Sequence, residues 1–175
     1  MGTVLLVIDI QRSLVADLAP DRRSGFLRTV GELLERARTA GTPLVYVRHN
    51  DDELPLGTAG WEIAEEVAPR PGEPIVEKRF RDAFRETGLE PMLKELGADH
   101  LVVCGMQTEF CVDATIREAE RRGYRVTLVE DGHATYPAGS ASEEQIRAQV
   151  HRVARGSVAA IVPAAEIFTT TDARA

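Results

Sequence analysis

One stretch constrains this chain more than any other: Leu101-Val102-Val103-Cys104-Gly105-Met106-Gln107-Thr108-Glu109-Phe110-Cys111-Val112-Asp113. It opens as an apolar run of the kind that forms a strand buried on both faces. It breaks at Gly105 and restarts as a helix near Thr108 or Glu109. That join places Cys111 in the first helical turn, just past the carboxyl end of the strand, where open parallel α/β sheets bind their ligands. A helix N-terminus carries positive partial charge and free N–H groups, which favour a thiolate over a thiol, so Cys111 reads as a nucleophile. The same spacing also suits two small buried residues, Cys104 and Cys111, with no chemistry attached.

The rest of the chain repeats the pattern. Thr3 to Asp9 is a near-continuous apolar run ending in Asp9-Ile10-Gln11. An acid directly after a central strand is either a loop solvator or a site residue. Arg12 to Asp21 reads as a polar connection. Phe26, Val30, Leu33, Leu34 and Ala37 then recur at helical spacing up to Gly41, and residues 43–49 form a second strand. Asn50 to Gly72 is irregular and rich in proline and glycine. It reads as a lid or pocket wall with a short helical turn around Glu62 to Val67, its Trp61 either facing the pocket or plugging the core edge. Residues 74–78 form a third strand, with Lys78 at its carboxyl end as Asp9 is for the first. A short helix follows over Leu89 to Leu96. The helix after Cys111 continues through Ile116 and Ala119 to Gly123, and Tyr124 to Asp131 is a fifth strand followed by the loop Gly132 to Pro137. Ser142 and Gln145 fit a capping box for a helix running to about Arg155. Val158 to Val162 is a sixth strand, and Ala164 to Ala175 reads as a short turn and a loose tail.

This alternation predicts a three-layer α/β/α fold: a doubly wound, mostly parallel, six-stranded sheet in a single domain over residues 1–175. The length suffices for one sizeable core. A net charge of −7 excludes a nucleic-acid footprint, and no apolar run reaches membrane-spanning length. The N-terminus lacks a basic region and a small-residue cleavage site, so it reads as a strand rather than a signal peptide. Met1-Gly2 is discounted as a lipidation signal because a strand follows at once. Two cysteines are too few for a disulfide framework, and a reducing cytoplasm is the expected setting. No histidine or cysteine pair stands at zinc spacing. The glycine-rich dinucleotide fingerprint does not follow the first strand, which argues against a nicotinamide dehydrogenase.

Asp9, Lys78 and Cys111 thus come from three strand carboxyl ends, all on one edge of such a sheet. Their chemistry is complementary: an ammonium holds a thiolate, and a carboxylate accepts its proton and later activates water. The segments carrying these residues, Leu5–Gln11, Gly57–Ile63, Val76–Phe80 with Ala83-Phe84, and Gly105–Val112 with Ala119 and Gly123-Tyr124, resemble those of the isochorismatase-like cysteine hydrolases. That superfamily includes nicotinamidases, N-carbamoylsarcosine amidohydrolases and isochorismatases. The resemblance implies a catalytic triad of Asp9, Lys78 and Cys111 and a cis peptide between Met106 and Gln107. It also implies an oxyanion hole from the N–H groups of Gln107 and Cys111. Cleavage of a small C–N amide-type bond through a thioester follows, with a homo-oligomeric assembly. Two other functions stay open: vinyl-ether hydrolysis with Asp9 as acid, and a non-catalytic member of the fold.

Substrate contacts are expected from Gln11, Trp61, Phe80, Asp82, Phe84, Thr135 and Tyr136. Asp82 in a pocket would favour a cationic or amine-bearing substrate; on the surface it is only a solvated charge. Some members of the superfamily hold a metal with an aspartate and two histidines after the second strand. Here His49, Asp51 and Asp52 lack a second histidine, so no metal or other cofactor is expected, and His49 reads as a structural hydrogen-bonding residue in preference to a substrate contact.

Overall fold

The computed structural model describes residues 2–156 and 160–169. Its strands are β1 (Gly2–Ile8), β2 (Leu44–His49), β3 (Ile75–Lys78), β4 (Ala98–Met106), β5 (Arg125–Ala134) and β6 (Ala160–Val162). They form one sheet in the order β3-β2-β1-β4-β5-β6, with every pairing parallel. The strand order reverses between β1 and β4, so their carboxyl ends flank the crevice where such sheets place ligands.

Side-chain alternation along β1 builds the layers. Leu5 and Val7 face one side and join the buried residues of α2 (Pro20–Thr39) and Val15 of α1 (Arg12–Ala16). Val4, Leu6 and Ile8 face the other and pack with α3 (Leu89–Glu95) and α4 (Asp113–Arg121). Each of these five β1 side chains is at most 1% exposed. Full burial of such a side chain is worth about 1.5–3 kcal/mol, so this strand anchors both cores. The expected three-layer α/β/α architecture is what the chain adopts. Helix α5 (Glu143–Arg155) begins with the expected capping box: Gln145 N–H donates to Ser142 Oγ, and Ser142 N–H donates to Gln145 Oε1.

Four local features differ from expectation. Arg12 to Asp21 is not a plain connection: it holds α1 and the start of α2, where Pro20 occupies the first turn with Asp21 beside it. A proline there loses no helical hydrogen bond. Gly105 does not end β4, which pairs on through Met106; at φ +136° it is instead the one residue that lets β4 lie against β1, since a Cβ would meet Ile8 O at 2.0 Å. The helix after it opens as a π-turn (Thr108–Val112) before α4. Strand β5 runs past a register slip to Ala134, so His133 belongs to the sheet. The 50–72 loop is irregular as expected, with a 3₁₀ turn at Glu65–Val67. The expected start of the sixth strand at Val158 and the tail beyond residue 169 lie outside the described residues. Among the described residues, no helix is long and apolar enough to cross a membrane.

Candidate functional site

Three strand ends meet beneath the reversal of strand order. β1 ends at Ile8, and Asp9 turns into the left-handed region at φ +49°, a conformation aspartate tolerates better than most residues. Its N–H is held by Val47 O, and its side chain is 1% exposed. β3 ends at Lys78, in register with His49 of β2, so the lysine reaches across the end of β2 towards Asp9. The π-turn after β4 brings in Cys111.

Lys78 is the hub. Its Nζ lies 2.7 Å from Asp9 Oδ2 and 3.2 Å from Cys111 Sγ, and it also donates to Phe80 O and His49 Nδ1, each at 3.1 Å. An ammonium has donors only, so His49 Nδ1 must accept. That leaves the His49 N–H on Nε2, donating to Asp51 Oδ2 at 2.9 Å. Asp51 Oδ1 in turn accepts from the N–H groups of Glu53 and Leu54. Burial pulls the Asp51 carboxyl upwards, but these bonds from His49, Leu54 and Glu53 hold it below its ordinary value. Burial opposes the charge on Lys78, yet Asp9 and Cys111 beside it keep its pKa raised.

The thiol behaves otherwise than expected from a helix tip and a lysine alone. Burial, and then the negative charge of Asp9, push Cys111 up to about 12, outweighing the pull of Lys78. The sulfur is therefore held as a thiol beside the buried Asp9 carboxylate and the Lys78 ammonium. A thiolate here has to form as the proton passes to that carboxylate. Cys104 is fully buried within the sheet, and both cysteines are free.

Above this group opens a cavity of about 270 Å³. Asp9, Cys111, Met106 and Gln107 form its base, with Leu14, His49, Asp51, Glu53, Leu54, Arg81 and Phe110 around it. The Met106–Gln107 peptide is cis, as the resemblance implied. Gln107 O accepts from the N–H groups of Phe110 and Val112, which ties the peptide into the π-turn. A wider groove of about 1080 Å³ lies elsewhere, between α1, α2 and the Glu65–Val67 turn, and is lined by none of Asp9, Lys78 and Cys111.

The structure brings Asp9, Lys78, Cys111 and Gln107 together and sets the expected substrate contacts apart from the cavity wall. Gln11 is fully buried and spent as a clamp: its amide donates to His49 O and Trp61 O, and its Oε1 accepts from His49 N. Trp61 lies against the core edge under the Arg48 guanidinium, 3.3 Å from its ring centre. Phe84 is a core residue stacked on Tyr124, and Phe80 contributes its carbonyl to Lys78 while Arg85 covers its ring. Asp82 caps a turn through the Phe84 N–H; burial raises its pKa, and it does not reach the cavity. Thr135 is buried away from the wall. Tyr136 supports the wall from behind, donating to the Leu14 carbonyl and meeting the Gln107 side chain. The 50–72 stretch, read from sequence as a pocket wall, contributes Glu53 and Leu54, whereas Leu14, Arg81 and Phe110 were not singled out. Phe110 and Arg81 were the findable ones, since each lies beside a motif residue; the Arg81 guanidinium sits 4.1 Å over the Phe110 ring.

The residues that would hold a metal do not fit one. His49 has both ring nitrogens engaged, and Asp51 is bound to His49 and two amides. Among the described residues, no group of three or more histidine, cysteine or acidic side chains is arranged to bind an ion.

A three-layer α/β fold that gathers a thiol, an amine and an acid at its carboxyl edge places reactive groups where such sheets bind their ligands. The family model described as Isochorismatase domain matches residues 3–164, and the chain belongs to that family. Streptothricin hydrolase from Streptomyces noursei is 40% identical over 137 residues, covering 75% of this chain and 54% of that protein. The chain thus spans about half the length of that relative. Among solved structures, an isochorismatase from Pseudomonas putida KT2440 matches with a TM-score of 0.86 and 30% identity over 94% of this chain and 89% of the other. N-carbamoylsarcosine amidase from Thermoplasma acidophilum matches with a TM-score of 0.80 and 27% identity, covering 95% and 99%.

Proposed function

We propose that this protein is a cysteine amidohydrolase that cleaves the C–N bond of a small amide, lactam or ureide through a thioester on Cys111. One observation carries the reading: Cys111 Sγ stands 3.2 Å from Lys78 Nζ, which stands 2.7 Å from Asp9 Oδ2, at the base of a cavity. The names of the relatives support the reading: streptothricin hydrolase a hydrolysis, and N-carbamoylsarcosine amidase amide-type chemistry. At about 270 Å³ the cavity suits a small molecule or the reactive end of a larger one.

Because the resting sulfur is a thiol, attack and proton loss belong to one step. The sulfur bonds to the carbonyl carbon as its proton moves to Asp9, and the N–H groups of Gln107 and Cys111 receive the developing oxyanion. Asp9 then gives the proton to the departing nitrogen, and the C–N bond breaks. Water replaces the amine, loses a proton to Asp9 and attacks the thioester. The acid leaves, and the thiol takes its proton back. Lys78 stays protonated throughout and offsets the charge passing between Asp9 and Cys111.

The test is intact-protein mass spectrometry after mixing with nicotinamide, N-carbamoylsarcosine, streptothricin and a panel of simple lactams and ureides. An acyl adduct on Cys111 and turnover lost in Cys111→Ala are expected. Turnover of isochorismate or any amide that survives in Cys111→Ala would overturn the thioester route and leave Asp9 acting as an acid alone.

A further inference from the structure

Behind the π-turn lies a line of polar side chains that this chemistry does not use. Thr108, its first residue, is fully buried, with Oγ1 2.8 Å from Nδ1 of His133. His133 is also fully buried, and its Nε2 lies 2.8 Å from Nε2 of His151 on α5. The two rings meet edge-on at 75°. His151 is half-buried, so the line runs from the outer side of α5 to the turn that carries Cys111.

Two facing ring nitrogens at this distance share one proton. With the proton on His133 Nε2, His133 Nδ1 accepts from the Thr108 hydroxyl. With it on His151 Nε2, His133 Nδ1 carries a proton and donates to Thr108 Oγ1. The orientation of a buried hydroxyl in the nucleophile's own turn is therefore set from α5.

We propose that His133 and His151 are positioning residues for Cys111, a relay that fixes the Thr108 hydroxyl and through it the π-turn. The proposal rests on Cys111 being the nucleophile. It also carries a proton limit. One extra proton is accommodated on the outer Nδ1 of His151, which then donates inward. A second would set two N–H groups head to head and break the relay.

The charged surroundings work in the same direction. Arg22 of α2 donates to His133 O while pairing with Glu143 of α5. Arg147 and Arg155 of α5 and Glu130 of β5 act on His151, and Asp131 and Glu143 act on Arg147. The π-turn packed against α5 brings Glu109, and β6 brings no titratable group. Burial, followed by the Arg147 charge, holds both histidines below their ordinary value, His133 well below it. The relay is thus intact at neutral pH and is challenged only on the acid side.

The probe is iodoacetamide, with Cys111 labelling followed by peptide mass spectrometry from pH 8 down to the lowest pH at which the protein stays folded. The variants are Thr108→Val, Thr108→Ser and His151→Gln, each checked for folding by thermal melting. Thr108→Val should slow labelling about tenfold, as a displaced nucleophile does, and Thr108→Ser should restore it. His151→Gln can accept from a doubly protonated His133, so its labelling rate relative to the unaltered protein should rise as the pH falls into the acid range. Nitrogen-15 NMR should show a coupling between the two Nε2 atoms. A flat rate ratio, with Thr108→Val labelled as fast as the unaltered protein, would overturn the relay. Absence of an acyl adduct on Cys111 in the unaltered protein with every amide offered above, with the Nε2 coupling still present, would instead remove the nucleophile and the positioning role with it.

Discussion

Replacing Lys78 by methionine tests the electrostatic core of the site most directly. The side chains of Lys78 and Asp9 are 0% and 1% exposed and stand 2.7 Å apart. Methionine keeps the length and apolar bulk of the lysine stem but leaves the Asp9 charge buried and unpaired. Breaking a buried ion pair in this way costs about 3–5 kcal/mol. At roughly 2–4 °C per kcal/mol for a chain of this size, the melting temperature should fall by roughly 6–20 °C at pH 7. The companion variant, Lys78→Met with Asp9→Asn, removes both charges together and should recover most of the lost stability. Hydrolysis should remain absent in both. Differential scanning calorimetry of the parent, Lys78→Met, Asp9→Asn and the double variant at pH 7 gives the coupling. A single variant as stable as the parent, or a double variant no better than the single, would refute the idea of a mutually dependent buried pair.

Two further outcomes follow from the same geometry. Gly105→Ala would force a Cβ to 2.0 Å from Ile8 O at φ +136°, so urea unfolding should show a loss above about 4 kcal/mol, or no folded protein at all. Lys78, Cys104 and Cys111 all hold their protons in the folded state beyond the pH at which the unfolded chain releases them. The stability they contribute is full below the free-thiol value of 9.0 and is lost as the pH climbs towards about 12. Melting temperatures should therefore fall steadily from pH 9 upwards, and level values to pH 11 would contradict the assignment.

The parts of the fold that sequence revealed are those in which one local pattern suffices. Unbroken apolar runs announced β1 and β4, and Ser142 with Gln145 announced the start of α5. Asp9, Lys78 and Cys111 were legible because each ends or follows a strand, and parallel strands share an edge. What stayed hidden depends on distant partners. Gln11 looks like a substrate ligand until His49 and Trp61 are seen to occupy its amide. Phe84 looks like a pocket wall until Tyr124, forty positions on, covers it. The protonated state of Cys111 is the sum of burial, Asp9 and Lys78, which position at a helix tip does not reveal. His133 and His151 meet only because β5 continues past its register slip.

Lys78 also comes from the least secured strand near the site. β3 is an edge strand of four residues, bonded on one side only, with Ile75 and Glu77 turned outwards. Peeling it from β2 would withdraw the ammonium while β1 and β4, clamped at the sheet centre, still present Asp9 and Cys111. Inactivation by warming can therefore precede melting: a dormant but folded molecule, restored when a short ribbon zips back into place.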